Sequence, residues 1–326
     1  MNVNAKLCIA LAAMTASFGI AASADAQTYP SKIVRIIAAF PAGGLADVLA
    51  RTVGEELGKS LGQTVIVENR AGAGGNTGAN AVATAEPDGH TLLLSSAGIL
   101  TINEFLYSRM PFDPDKAFAP VTVVADMSML LVVHPKVGVS DFKSFLAKVR
   151  AEPGKLNFGS AGNGTTGHLA LVMFLRSAGV QIAHVPYSGA APSVQDLVAG
   201  QIDGLFDNPP TVISHIRAGT IRALAATAGK RMEILPDVPT AAEAGLPGFE
   251  ASSWFALVAP AATPKPVIDR LNTETVKALR LPAMQERFGK LGARLVANSP
   301  EEFAAFIKTE RAKWGAVLKP ANIKLD

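Results

Sequence analysis

The sequence predicts an α/β protein of two lobes, with mostly parallel sheets and a ligand cleft between the lobes. Three observations carry this expectation. From residue 33 onward, short β-branched runs alternate with alanine- and leucine-rich segments, the pattern of βαβ units. The alternation restarts after His134-Pro135. A mature chain of about 300 residues is also long enough for two substantial cores.

In the first unit, residues 33–37 read as a strand and residues 46–61 as a helix, whose Val48, Leu49, Val53 and Leu57 recur near the 3.6 period. Residues 64–68 form the second strand, 69–78 a glycine-rich turn leading into a short helix, and 91–94 a further strand. The second unit begins with a helix over 142–149. Strands at 156–159, 182–185 and 202–206 then alternate with helices at 169–178 and 191–198, and 221–226 extends the sheet. Pro236, Pro239, Pro247 and Pro260 punctuate a crossing region. Residues 266–279, 282–291 and 300–314 are terminal helices, each opened by a proline at the first helical position, where its missing N–H costs nothing.

The chain is expected to cross between lobes around 120–132 and to return around 235–260. One lobe then comprises 27–125 with 240–326, and the other 126–239. A cleft between discontinuous lobes is a common place for a small ligand.

Residues 1–26 are expected to be a secretory signal peptide. Lys6 precedes an apolar run over 7–22, Ala24-Asp25-Ala26 supplies a small-x-small cleavage site, and Gln27-Thr28-Tyr29-Pro30 follows in place of a positive stop. The single cysteine, Cys8, falls inside that segment. A mature chain without cysteine excludes disulfides, thiolate nucleophiles and cysteine metal sites. The whole chain carries 30 basic and 27 acidic residues for a net charge of +3. The basic residues are scattered without a stripe, which argues against nucleic acid; a mild positive field suits an anionic ligand.

Two glycine loops stand at strand-to-helix junctions. In the first, Phe40-Pro41-Ala42-Gly43-Gly44, unhindered backbone N–H groups converge on an anion or else simply make a tight connection. Asp47 sits in the first helical turn, where an acid complements the helix dipole whatever binds nearby. The second, Ser160-Ala161-Gly162-Asn163-Gly164-Thr165-Thr166, repeats the arrangement, with Thr165 and Thr166 as hydroxyl donors or helix caps. Two such loops facing one cleft would hold two carboxylates of one molecule.

The second loop also spells GxGxxG, but no aspartate or glutamate follows within residues 179–184 to hold a ribose, so the dinucleotide reading is set aside. Ser160 and His168 supply two residue types of nucleophilic catalysis without a G-x-S-x-G elbow, and His168 serves equally as a polar contact between the lobes. Asn163-Gly164-Thr165 is formally a glycosylation sequon, which glycine-rich flexibility explains as well. His90, His134, His184 and His215 lack metal-ligand spacing, so neither metal nor cofactor is expected. Ser95 to Gly98, Tyr187-Ser188-Gly189 and Asp207-Asn208-Pro209 are further strand-end loops of the kind that line ligand clefts. Tyr187 offers a ring and a hydroxyl to a ligand or else stands as an aromatic at the domain edge, and Asp207 would receive an ammonium, order the pocket or equally cap Asn208-Pro209.

An ordered set of motifs resembles one family closely: Phe40-Pro41-Ala42-Gly43-Gly44-x-x-Asp47, Val67-Glu68-Asn69-Arg70-x-Gly72-Ala73-Gly74-Gly75, and Ala85-x-Pro87-Asp88-Gly89-His90-Thr91-Leu92. Val185-Pro186-Tyr187-x-Gly189-Ala190-Ala191-Pro192, Asp196-Leu197-x-x-Gly200-Gln201-Ile202-Asp203 and Pro236-Asp237-Val238-Pro239-Thr240 continue it. It is the Bug family, the substrate-binding proteins of tripartite tricarboxylate transporters.

The resemblance implies a periplasmic binding protein of the type II-like fold, two α/β lobes closing around a small organic mono- or dicarboxylate, with no catalytic machinery and no cofactor. A monomer is expected, delivering ligand to a two-subunit membrane permease or reporting to a membrane sensor. A secreted hydrolase using Ser160 and His168 is the distant alternative.

Carried onto this chain, the family's first carboxylate loop falls on Phe40, Ala42, Gly43 and Gly44, with Asp47 helping to form its turn. The second falls on Ser160, Ala161, Gly162, Asn163, Gly164 and Thr165, with His168 just beyond. Ser96 and Tyr187 would line the same cavity, and Asp207 would meet the ligand's variable portion, where it suggests an amino or hydroxyl group. Family members often carry a second proline where Ala42 stands; alanine restores a backbone donor, so anion binding is expected to persist.

Overall fold

The computed structural model describes residues 29–290, 292–321 and 324. The signal peptide expected over residues 1–26, with Cys8, lies outside the described residues. Among the described residues no helix is long and apolar enough to cross a membrane.

Strand β1 (Val34–Ala38) buries every side chain but Arg35, as a central strand covered on both faces must. Helix α1 (Leu45–Leu61) lays Leu45, Leu49, Val53 and Leu57 against the sheet and ends where Gly62, in the left-handed region, donates its N–H to Gly58 O. Strand β2 (Val65–Asn69) pairs parallel with β1. A 3-10 turn over Ala73–Gly75 then leads into helix α2 (Asn76–Ala83). Strand β3 (Thr91–Ser96) pairs parallel with the other edge of β1. A π-helical turn over Gly98–Ile102 passes into α3 (Asn103–Leu106), and the long strand β4 (Phe118–Ser128) follows.

One residue, Met129, separates β4 from β5 (Leu130–Val133), which opens a second sheet. There the chain runs α4 (Phe142–Ala151), β6 (Asn157–Ser160), α5 (Thr166–Ala178), β7 (Ala183–Pro186), α6 (Ala190–Val198), β8 (Gly204–Asp207), α7 (Pro209–Arg217) and β9 (Arg222–Ala226). It then returns to the first sheet through β10 (Ser252–Pro260), α8 (Lys265–Leu279), α9 (Pro282–Gly289), β11 (Arg294–Leu295) and α10 (Pro300–Ala321). The strand orders are β11-β4-β10-β3-β1-β2 and β7-β6-β8-β5-β9. Each sheet is faced by helices and has its own core, giving two α/β lobes.

Both sheets are mixed, where the sequence led us to expect mostly parallel ones. The segments expected to be crossings contain β4 and β10, which pair antiparallel with each other from Phe118–Pro260 to Ser128–Ser252. β5 likewise runs antiparallel to β8 and β9. The reversal has a physical cause: a strand carrying the chain from one sheet to the other completes its hydrogen bonds by pairing beside the strand that returns.

Thr227 ties the two passages together. Its hydroxyl accepts the Met129 N–H at 2.8 Å, its N–H donates to Met129 O at 2.9 Å, and its own O–H reaches Ala251 O. Helix α7 was also missed, because Pro209-Pro210 reads as loop; both prolines sit in its first turn, and Val212 and Ile213 are buried beneath it.

The cores replace disulfides. Around the second sheet, Phe145 stacks on Phe158 and Phe174 at 5.8 and 5.9 Å, and Phe142, Phe206 and Phe249 close the cluster. Beside the first sheet, Trp254 and Trp314 are buried with Phe303, and both indole N–H groups donate to Glu310 Oε2 at 3.3 Å.

Candidate ligand-binding cleft

Four helices begin at one cavity. Gly44, Leu45 and Ala46 at the start of α1 form part of its wall. Thr165, Thr166 and Gly167 at the start of α5, Gly189 to Pro192 at the start of α6, and Asn208 and Thr211 at the start of α7 form the rest of the helical lining. Gly44, Thr165, Gly189 and Asn208 are the N-cap residues, and none of their side chains caps its helix. Phe40, Ala42, Ser96, Met129, Ala161, Phe206, Asp207, Ser253 and Phe255 also line the space, which measures about 110 Å³. A single water needs only ~10–15 Å³, so a small organic molecule fits.

The first N–H groups of a helix have no partner within it and carry the positive end of its dipole. Convergent helix starts can therefore hold an anion without a cationic side chain, and among the lining residues Asp207 is the one charged group.

The first glycine loop is held from behind. Gly43, at φ +84, donates its N–H to Asp47 Oδ2 at 3.0 Å. Asp47 Oδ1 accepts from Asn69 Nδ2 and from Arg51, each at 2.9 Å, and Asn69 Nδ2 also reaches Phe40 O at 3.0 Å. Burial alone would raise the Asp47 carboxyl, but Arg51, the Gly43 N–H and Asn69 together hold it below the usual carboxylate range. Asp47 is thus a fixed anion that shapes the turn, and it does not line the cavity.

The second loop is braced by histidines. Ser160 Oγ lies 2.7 Å from His184 Nε2 and accepts the Gly162 N–H at 3.1 Å, while Thr165 Oγ donates to Gly162 O at 2.7 Å. His168 Nδ1 accepts the Gly164 N–H at 3.2 Å, and its ring stacks on His184 with centroids 4.1 Å apart. Burial, then the neighbouring His184, lowers His168 to about 3, and burial lowers His184 to about 4. Both imidazoles are neutral near pH 7.

The fifteen residues singled out by sequence therefore separate by position. Phe40, Ala42, Gly44, Ser96, Ala161, Thr165 and Asp207 lie on the cavity wall. Phe40 and Ala161 continue onto an adjoining groove with Gly162, Asn163 and Tyr187. There the Tyr187 hydroxyl donates to Asp196 at 2.7 Å; burial and that carboxylate push it up to about 12. Gly43 faces a third depression, with Val48 and His215. Asp47, Ser160, Gly164 and His168 stand behind the loops, outside all of these linings. Ser160 and His168, read from sequence as donors to a ligand, spend their polar atoms on the loop itself.

Among the lining residues that sequence reasoning missed are Met129, Phe206, Thr211, Ser253 and Phe255. Ser253 and Phe255 alternate on one face of β10, a period-2 signal concealed by reading that stretch as a crossing. Gly189 and Asn208 lie in segments already marked as strand-end loops, without a role. Asp207 is 7% exposed, and burial raises its carboxyl to about 6 against the pull of the Asn208 N–H and the Thr211 hydroxyl. Among the described residues, no group of three or more His, Cys, Asp or Glu is placed to hold a metal.

The family described as "Tripartite tricarboxylate transporter family receptor" matches residues 49–323. The protein BugT of Bordetella pertussis is 38% identical over 326 residues, covering 100% of each chain. The structure of R. palustris Rpa4515 with adipate is 35% identical, covers 91% of this chain and 100% of its own, and superposes with a TM-score of 0.88. MatC of Rhodopseudomonas palustris with bound malate is 34% identical, covers 89% and 100%, and has a TM-score of 0.85.

Proposed function

Because the chain belongs to the tripartite tricarboxylate transporter receptor family, whose members are periplasmic solute-binding proteins rather than enzymes, we propose that it captures a small organic mono- or dicarboxylate in the cavity for uptake by a two-subunit membrane permease. The observation that carries the reading is the meeting of α1, α5 and α6 at their N-termini, which supplies backbone donors from both sheets to one small space. Backbone donors recognise carboxylate geometry, and a ligand held between two lobes converts binding into closure. The adipate and malate bound by the two R. palustris proteins support a short aliphatic acid.

The chain acts as a monomer in this reading, and the permease senses the closed form. Phe40, Ala42, Gly44, Ala161 and Thr165 surround the ligand; Gly43, Gly162, Gly164, Asp47, Ser160 and His168 set the shape of the two loops. Tyr187 and Asn163 belong to the adjoining groove.

Calorimetry and thermal-shift measurements with C2 to C6 mono- and dicarboxylates test the proposal. One or more should bind saturably with no product formed. Ala190→Asp puts a carboxylate at the start of α6 and should cut affinity at least tenfold. The absence of any saturable carboxylate, or turnover that depends on Ser160, would overturn the reading.

A further inference from the structure

The two lobes also meet away from the cavity, through glycines. A Cβ at Gly74 would stand 2.8 Å from Asn163 O and 3.0 Å from the Tyr107 hydroxyl, one at Gly98 would stand 2.9 Å from Gly164 O, and one at Gly164 would stand 2.7 Å from Asn103 Oδ1. Gly74, Gly98, Asn103 and Tyr107 belong to the lobe of the first sheet, whereas Asn163 and Gly164 belong to the loop after β6 in the other. Backbone thus approaches backbone along this seam, and the Asn103 side chain, 0% exposed, is set into it.

The Asn103 amide is divided between the lobes. Its Nδ2 donates to Asn76 Oδ1 at 2.7 Å and to Gly74 O at 3.2 Å, both in its own lobe. Its Oδ1 faces Gly164 and, among the described residues, is buried without a hydrogen-bond partner. The Gly164 N–H is spent on His168 Nδ1 at 3.2 Å, so the facing loop offers no donor in exchange. Exchanging the two amide atoms would turn an oxygen toward Gly74 O, so the orientation is fixed by the residue's own lobe.

We infer that Asn103 opposes lobe closure, holding affinity below what the cavity alone would give and so easing release of the captured ligand. The inference rests on the solute-capture reading, in which binding drives closure. When the lobes part, water satisfies Oδ1; when they meet, that water is stripped away and nothing replaces it, a cost charged to the closed form alone. The hydrogen bonds of Nδ2 lie within one lobe and persist whether the lobes are apart or together. Their loss therefore lowers stability but largely cancels from the balance between open and closed forms, and a change at Oδ1 shifts that balance directly.

The test combines calorimetry with succinate, malate and adipate, urea unfolding, and small-angle scattering of the ligand-free protein. Asn103→Ala removes the oxygen. It should unfold at lower urea yet bind at least threefold more tightly, and its ligand-free radius of gyration should fall. Asn103→Asp keeps the size and puts a charge where the oxygen stands. It should also unfold at lower urea, but bind at least tenfold more weakly and show a larger ligand-free radius. A residue that only supports the fold would lose affinity along with stability in both variants. Weaker binding by Asn103→Ala than by the native protein, or affinity and scattering unmoved by either variant, would overturn the inference while leaving carboxylate capture standing. If the native protein binds none of the acids, the capture reading falls, and scattering of the two ligand-free variants still decides the role of Asn103: opposite shifts uphold it, and equal or absent shifts overturn it.

Discussion

Asp47 Oδ2 accepts the Gly43 N–H at 3.0 Å across the turn that begins α1, so a buried carboxylate fixes the loop whose other face forms part of the cavity wall. The two faces of one short loop thus carry separate tasks. The inward face is satisfied by Asp47 and Asn69, while Phe40, Ala42 and Gly44 of the same loop line the cavity.

Asp47→Ala removes the acceptor for Gly43, Asn69 and Arg51 together. It should cost about 1.5–3 kcal/mol of stability, the range for hydrogen bonds to a charged group, and weaken ligand binding through a loosened loop. Asp47→Asn, which keeps an acceptor oxygen, should recover part of both losses. Urea unfolding and calorimetry on the two variants check this; unchanged stability in Asp47→Ala would refute the bracing role.

Ser160→Ala should destabilise the protein by about 1–2 kcal/mol, because Gly162 loses its acceptor and His184 its partner. Affinity should change by less than about fivefold, since the hydroxyl lies behind the loop. A loss beyond tenfold with an unshifted melting point would mean that Ser160 touches the ligand after all.

Acid should destabilise the protein through the stacked histidines. In the unfolded chain they titrate near 6.5, whereas the fold holds His168 at about 3 and His184 at about 4, so the unfolded state binds more protons in between. Their contribution is fully present above pH 6.5 and is lost as pH falls toward 3. Asp207, raised to about 6, works in the opposite direction between roughly 4 and 6, one group against two. Denaturant midpoints at pH 7.5, 6 and 4.5 should fall in that order, and His184→Asn should flatten the trend.

Gly98→Ala offers a direct test of closure. A Cβ at Gly98 would stand 2.9 Å from Gly164 O, backbone belonging to the loop of the other sheet, while the Gly98 backbone lies outside the left-handed region. Alanine there should leave the ligand-free protein's stability within about 1 kcal/mol of native, because the conformation itself is tolerated. Affinity should fall at least tenfold, and small-angle scattering should show less compaction on adding ligand. Equal affinity would show that the two loops separate without consequence for binding.

Glu310→Ala leaves the indoles of Trp254 and Trp314 without their shared acceptor in the first core. Two buried donors without partners should cost about 2–4 kcal/mol, and ligand affinity should not move. Chemical denaturation followed by tryptophan fluorescence, with calorimetry alongside, separates the two effects.

Much of the fold is legible in local pattern. The buried face of α1 repeats at 3.6 residues, β1 is a β-branched run, and Gly62 and Gly179 stop their helices in the left-handed region. Among the elements that escaped are β4, β10 and α7. Their identity depends on partners more than a hundred residues away, as with Phe118 and Pro260, or on tertiary support for a helix that opens with two prolines.

The sequence by itself determined the α/β class, the strand-to-helix position of both glycine loops and, through ordered motifs, the family, because each of these is written in short-range spacing. Only the tertiary structure decided which face of each loop meets the cavity, since that depends on where distant side chains find their hydrogen bonds. Asp47 turns inward to Asn69, Ser160 finds His184 rather than His168, and Pro209-Pro210 opens the fourth helix with two residues that have no N–H to offer. A buried polar group must be satisfied by whatever the fold brings beside it, and that neighbour is chosen by packing.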